Sequence, residues 1–130
     1  MKEEISTKNA PAAIGPYSQA IKAGNAIYVS GQLGIVPDTG ELAAGGVVSQ
    51  ARQSLTNIKN ILGEAGYEMS DVVKTTCLLA DIADFSAFNS VYAEFLGASE
   101  NSPSPARSAF AVKTLPKGAL VEIEVIAVKD

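Results

Sequence analysis

Two stretches of three-and-four spacing interrupt a chain whose apolar residues otherwise alternate, and this change of period restricts the fold more than any other feature. In "GVVSQARQSLTNIKNILGEAG" the residues Val48, Ala51, Leu55, Ile58, Leu62 and Ala65 draw one apolar stripe, with Arg52, Gln53, Asn57, Lys59 and Asn60 mostly away from it. Gly66 follows as a C-terminal stop. The second helical stretch is "DFSAFNSVYAEFLG". Asp84 is placed to cap it, Phe85, Phe88, Tyr92 and Phe95 form its stripe, and Gly97 ends it.

The rest reads as strands. "AIYVSG" sets Ile27 and Val29 against Tyr28 and Ser30, and "VVKTTCLLA" puts Val73, Thr75, Cys77 and Leu79 on one side. "ARSAFAVK" and "ALVEIEVIAVK" read as a final hairpin joined by "TLPKG". "EEIST" adds an expected edge strand, and "IKAGNAIYV" an expected hairpin around Gly24 and Asn25. Strands, helix, strand, helix, strands is the order of an α+β domain: a mixed sheet with two helices packed on one face. Residues 1–130 form a single domain, with no internal repeat and no dividing linker. Two helices cover only one face of such a sheet. The other still carries apolar groups, so an oligomer is expected to cover it.

The composition excludes more than it includes. No histidine is present, so Ser-His-Asp and Cys-His catalysis are out and the commonest metal ligand is missing. One cysteine, Cys77, allows no internal disulfide and no thiolate zinc cage; its apolar setting marks it as a buried structural thiol. Neither a G-x-G-x-x-G nor a P-loop motif occurs. The net charge of −4, with no basic block, disfavours nucleic acid as a partner. No apolar run reaches the ~20 residues a membrane helix needs, and the charged start "MKEEIST" has no signal-peptide character, so the expected location is cytoplasmic. Chemistry is left to carboxylates, arginine, tyrosine, hydroxyls, backbone groups and water.

Parity locates a candidate site. In "ALVEIEVIAV" Val121, Ile123, Val125 and Ala127 read as core, with Glu122 and Glu124 opposite. In "ARSAFAVK" the large apolar residues Phe110 and Val112 read as core, leaving Arg107, Ala109 and Ala111 opposite. On that reading Arg107 shares the outer face with Glu122 and Glu124, beside the open floor that two alanines leave. A guanidinium fork there can hold a ligand carboxylate bidentately. The plain alternative is a cross-strand ion pair between Arg107 and Glu122 or Glu124, worth under about 1 kcal/mol if exposed. Glu124 reads equally as a solvated residue or an interface partner.

At these residues the chain resembles a known family. "PARSAFAVKTLPKGALVEIEVIA" is similar to the C-terminal signature of the RidA (YjgF-type) reactive intermediate imine/enamine deaminases: Pro105-Ala106-Arg107-Ser108, Leu115-Pro116 and Val121-Glu122-Ile123. "APAAIGPYSQAI" resembles the family's Gly-Pro-Tyr-Ser segment, "YVSGQLGIVPDTGEL" its Ser-Gly-Gln hairpin and "FNSVYAEFL" its second helix, so the match spans nearly the whole chain. The resemblance implies a chorismate-mutase-like fold assembled as a homotrimer, with active sites in clefts between subunits. It implies that Arg107 grips the carboxylate of a 2-imino acid, Glu122 positions or deprotonates the attacking water, and Tyr17 reaches in from a neighbouring subunit. Ser30 and Gly31 would supply polar and backbone contacts, and Asn89 would shape the pocket or support it from behind. Several members carry cysteine where this chain has Ala109. The backbone N–H of Ala109 remains available to substrate, so deamination is expected to survive and thiol-dependent behaviour to be lost. No metal or organic cofactor is implied. The expected activity is hydrolysis of 2-iminobutanoate-like acids to 2-oxo acids and ammonia. The rival readings are a non-catalytic binder of 2-oxo acids that acts as a regulator and, more weakly, a ribonuclease or translation inhibitor.

Overall fold

Alternation places apolar side chains on one face of each strand, and the chain turns those faces toward the two helices. The computed structural model describes residues 1–130. In chain order the elements are β1 (Lys2–Ile5), β2 (Ala20–Ala23), β3 (Ala26–Leu33), β4 (Ile35–Val36), β5 (Glu41–Leu42), α1 (Val47–Glu64), β6 (Val72–Leu79), α2 (Phe85–Leu96), β7 (Ala106–Ala111) and β8 (Val121–Val128). Six strands form one sheet in the order β1-β2-β3-β8-β6-β7, and β4 pairs with β5 in a separate small ribbon. All main-sheet neighbours are antiparallel except β6 and β7, which run parallel. The mixed α+β sheet, the edge strand β1 and the β2–β3 hairpin all agree with the sequence.

Both helices lie over the face that carries Ile27 and Val29 of β3, Thr75, Cys77 and Leu79 of β6, and the odd-numbered core residues of β8. Against them α1 packs Leu55, Ile58, Ile61 and Leu62, while α2 packs Phe88, Val91, Tyr92 and Leu96. Gly66, at φ 78°, closes α1 in the left-handed region, where a Cβ is disfavoured.

Four local expectations are corrected. Val73 is exposed and Val72 buried, because the β6–β8 register shifts between Val72 and Lys74 and a bulge resets the alternation. Asn57 is buried rather than solvated, and its Nδ2 donates to Ile35 O at 2.9 Å, while Ser54 Oγ donates to Gln32 O at 2.7 Å. Where β3 passes into β4, α1 supplies donors to backbone carbonyls of both strands. Val48, placed on the α1 stripe, is exposed. Asp84 occupies the N-cap position of α2 without a side-chain bond; the capping carboxylate is Asp81, one short turn earlier, accepting from Ala83 N at 2.9 Å.

The largest correction concerns the final strands. β7 and β8 are not a hairpin: β6 lies between them. Arg107 stands beside Thr75, and Ala109 beside Cys77, so both belong to the helix-covered face. Glu122 stands beside Leu78, itself beside Phe110, on the open face. Phe110 is exposed, as an aromatic on an uncovered sheet face must be in a single chain. Arg107 and Glu122 therefore point to opposite sides of one sheet.

Candidate active site

The candidate residues gather into two groups. The first is built on β7, which the proline-rich "PSPA" feeds into the sheet at its edge. Arg107 leaves this edge strand toward α2. Its Nη1 donates to Asn89 Oδ1 at 2.6 Å. Its guanidinium carbon lies 5.3 Å from the Phe85 ring centre and 4.6 Å from that of Tyr92, within cation–π range of both. The helical spacing of Phe85, Asn89 and Tyr92 puts all three on one α2 face. The arginine forms no ion pair with Glu122 or Glu124; the chain's one salt bridge joins Arg52 to Glu94 across the two helices. With only Nη1 engaged, most of the fork's donors are free for an incoming anion.

Behind Arg107, the Tyr92 hydroxyl meets Thr75 Oγ1 at 2.8 Å in a buried contact. Burial raises the phenol's pKa against the opposing effect of that hydrogen bond. Cys77, beside Ala109, is fully buried, and burial pushes its thiol from 9.0 up to about 11. The thiol is inert at neutral pH, as its apolar sequence context indicates.

The second group lies on the open face. The register of β3 against β8 shifts between Val29 and Gln32, so a bulge presents Ser30 and Gly31. Gly31 backs directly onto Glu122: a Cβ there would collide with Glu122 Oε2, and only glycine admits the carboxylate so close to the strand. Partial burial, reinforced by Glu124, raises the Glu122 pKa above the ordinary carboxylate value of 4.5. Ser30 Oγ donates to Ser18 O at 2.6 Å, which ties the bulge to the segment carrying Tyr17. Tyr17 is half-exposed and borders a cavity of about 600 Å³ shared with Thr7, Gln19 and Pro37.

The seven residues singled out in the sequence thus divide cleanly. Arg107, Asn89 and Ala109 lie on the helix-covered side; Glu122 and Gly31 meet on the other, with Ser30 beside them and Tyr17 linked only through the Ser30–Ser18 bond. Phe85, Tyr92 and Thr75 were read from the sequence only as helix stripe and strand face. Their link to Arg107 had no sequence signal, because it depends on β7 lying beside β6.

The chain matches the model of the family described as Endoribonuclease L-PSP over residues 7–129. It is 54% identical over 130 residues to a RutC family protein of Pyrococcus horikoshii, a match that covers 100% of both chains. It is 57% identical over 125 residues to the 2-iminobutanoate/2-iminopropanoate deaminase of Capra hircus, covering 96% of this chain and 88% of that protein. Among solved structures it is similar to E. coli TdcF with bound serine, with a TM-score of 0.91 and 41% identity over 98% of this chain and 99% of that one.

Proposed function

Because the chain belongs to the Endoribonuclease L-PSP (RidA/YjgF) family, we propose that it hydrolyses 2-imino acids of the 2-iminobutanoate class to 2-oxo acids and ammonia, in sites shared between copies of the chain. The observation that carries this reading is the Arg107 fork, held by Asn89 and two aromatic rings and bound to no carboxylate of its own chain. Such a fork suits the carboxylate of a short acid. A relative that shares 57% of its residues with this chain is named for this reaction, and TdcF, with serine bound, holds another small carboxylate compound.

The chemistry needs little more. An imine carbon is already electrophilic. Glu122 takes a proton from water as its oxygen adds to the C=N carbon, and the proton is returned to nitrogen. Collapse of the resulting carbinolamine expels ammonia and leaves the 2-oxo acid, with no redox step. Base catalysis of this kind contributes ~10²–10⁴-fold. The raised Glu122 pKa suits a group that must both accept and return a proton.

One chain does not bring these two halves to one small molecule. β7 and β8 are separated by β6, about 10 Å at the usual strand spacing, and the two side chains leave opposite faces. The Arg107 half of one copy and the Glu122–Gly31–Tyr17 half of the next complete the site, and a homotrimer closes such contacts into a ring. The family description's endoribonuclease activity finds no support in a chain of net charge −4 without histidine.

In a coupled assay with a dehydratase that releases the imine, Arg107→Ala abolishes the acceleration and Glu124→Gln retains it. Equal acceleration by wild type and Arg107→Ala would end the reading.

A further inference from the structure

Arg107 is the binding group of the proposed site, yet a single hydrogen bond from Nη1 leaves a long side chain free to turn about its last torsions. What limits it is the ring of Tyr92, whose centre lies 4.6 Å from the guanidinium carbon. That ring has a fixed height because its hydroxyl meets Thr75 Oγ1 at 2.8 Å, and Thr75 has no exposed surface. Thr75 is also the sheet neighbour of Arg107, paired with it in register on the same face. Both ends of the arginine are thus referred to one residue: its backbone through the β6–β7 ladder, its head through Tyr92. Phe85 confines the guanidinium as well, 5.3 Å from its own ring centre.

We infer that Thr75 and Tyr92 act as a positioning pair that aims the Arg107 fork at the substrate carboxylate, a role that rests on the reading of Arg107 given above. Neither residue touches substrate on this account; each acts through the arginine. The carboxylate is held alike before and during the reaction, so loosening the fork weakens binding while leaving the chemical step nearly intact.

The test uses 2-oxobutanoate as the probe, with affinity measured by calorimetry and turnover in the coupled imine assay. Tyr92→Phe keeps the ring and removes the hydroxyl; Thr75→Val removes the partner at nearly constant shape. Each is expected to weaken 2-oxobutanoate about five- to tenfold and to raise KM by a similar factor, with kcat changed less than about twofold. The double variant is no worse than the weaker single, because both changes break one contact. Thr75→Ser restores the hydroxyl and with it most of the affinity. Should Thr75→Val lose its cooperative melt, Tyr92→Phe and Thr75→Ser carry the comparison. Wild-type affinity in Tyr92→Phe and Thr75→Val, or multiplied losses in the double variant, overturns the pair's role. Arg107→Ala separates the two levels: unchanged 2-oxobutanoate binding in that variant refutes the site itself, whereas lost binding there with an unaltered Tyr92→Phe refutes only the positioning.

Discussion

In the role proposed for it, Glu122 carries a conflict between stability and chemistry. Burial and Glu124 raise its folded pKa above 4.5, so the fold favours the protonated form more than the unfolded chain does. Its contribution to stability is fully present below that unfolded value and is lost as pH rises through the higher folded one. The proton-accepting role proposed for it requires the opposite form. Glu122→Gln is therefore expected to raise Tm modestly at pH 7 while removing imine hydrolysis, a result read by a thermal melt beside the coupled assay. In the wild type the acid limb of kcat/KM falls at a pH above the ordinary glutamate value of 4.5. A limb at or below that value contradicts the assignment of Glu122 as the proton carrier.

At the scale of elements, β6 decides the site. It lies second from the edge, between β7 and β8, and runs parallel to β7 and antiparallel to β8, so it sets the faces of Arg107 and Glu122 independently. The sequence made the helices, the alternation of β8 and the mixed sheet legible, because each depends on local period. It did not make the β7 register legible. Phe110 looks like core by size, and "TLPKG" looks like a hairpin turn, but the strand between β7 and β8 is distant in sequence. Val73 was misplaced for a related reason: a bulge adds a residue that alternation cannot foresee. Asn57 read as surface because no pattern reveals that the end of β3 and the start of β4 leave carbonyls for it to meet. Within β6, the Cys77 thiol has to stay neutral in the fold. With its pKa pushed from 9.0 up to about 11, its stabilisation is present below pH 9.0 and disappears as pH rises through about 11. The Tm is expected to fall over that interval, and Cys77→Ala to flatten the fall. An unchanged pH slope in that variant assigns the loss elsewhere, Tyr92 being the other raised group in the same cluster.

The whole molecule leaves one sheet face without helices. Tyr28 and Phe110 are exposed there, and Glu122 shares that face. The proposed assembly would bury this apolar surface against a second copy. Phe110→Glu is expected to shift the assembly toward monomers in light scattering, with helix and strand content retained in circular dichroism and imine hydrolysis lost. A monomer that keeps full activity contradicts a shared site. Subunit mixing puts the same question most directly. Arg107→Ala and Glu122→Gln copies, each inactive alone, are unfolded together and refolded as hybrids. If Arg107 and Glu122 meet across an interface, about one quarter of the sites in a one-to-one mixture pair an intact arginine with an intact glutamate, and about a quarter of wild-type activity returns. If both residues serve the same site from one chain, no mixture contains a complete site, and the activity stays at the background of the two parents.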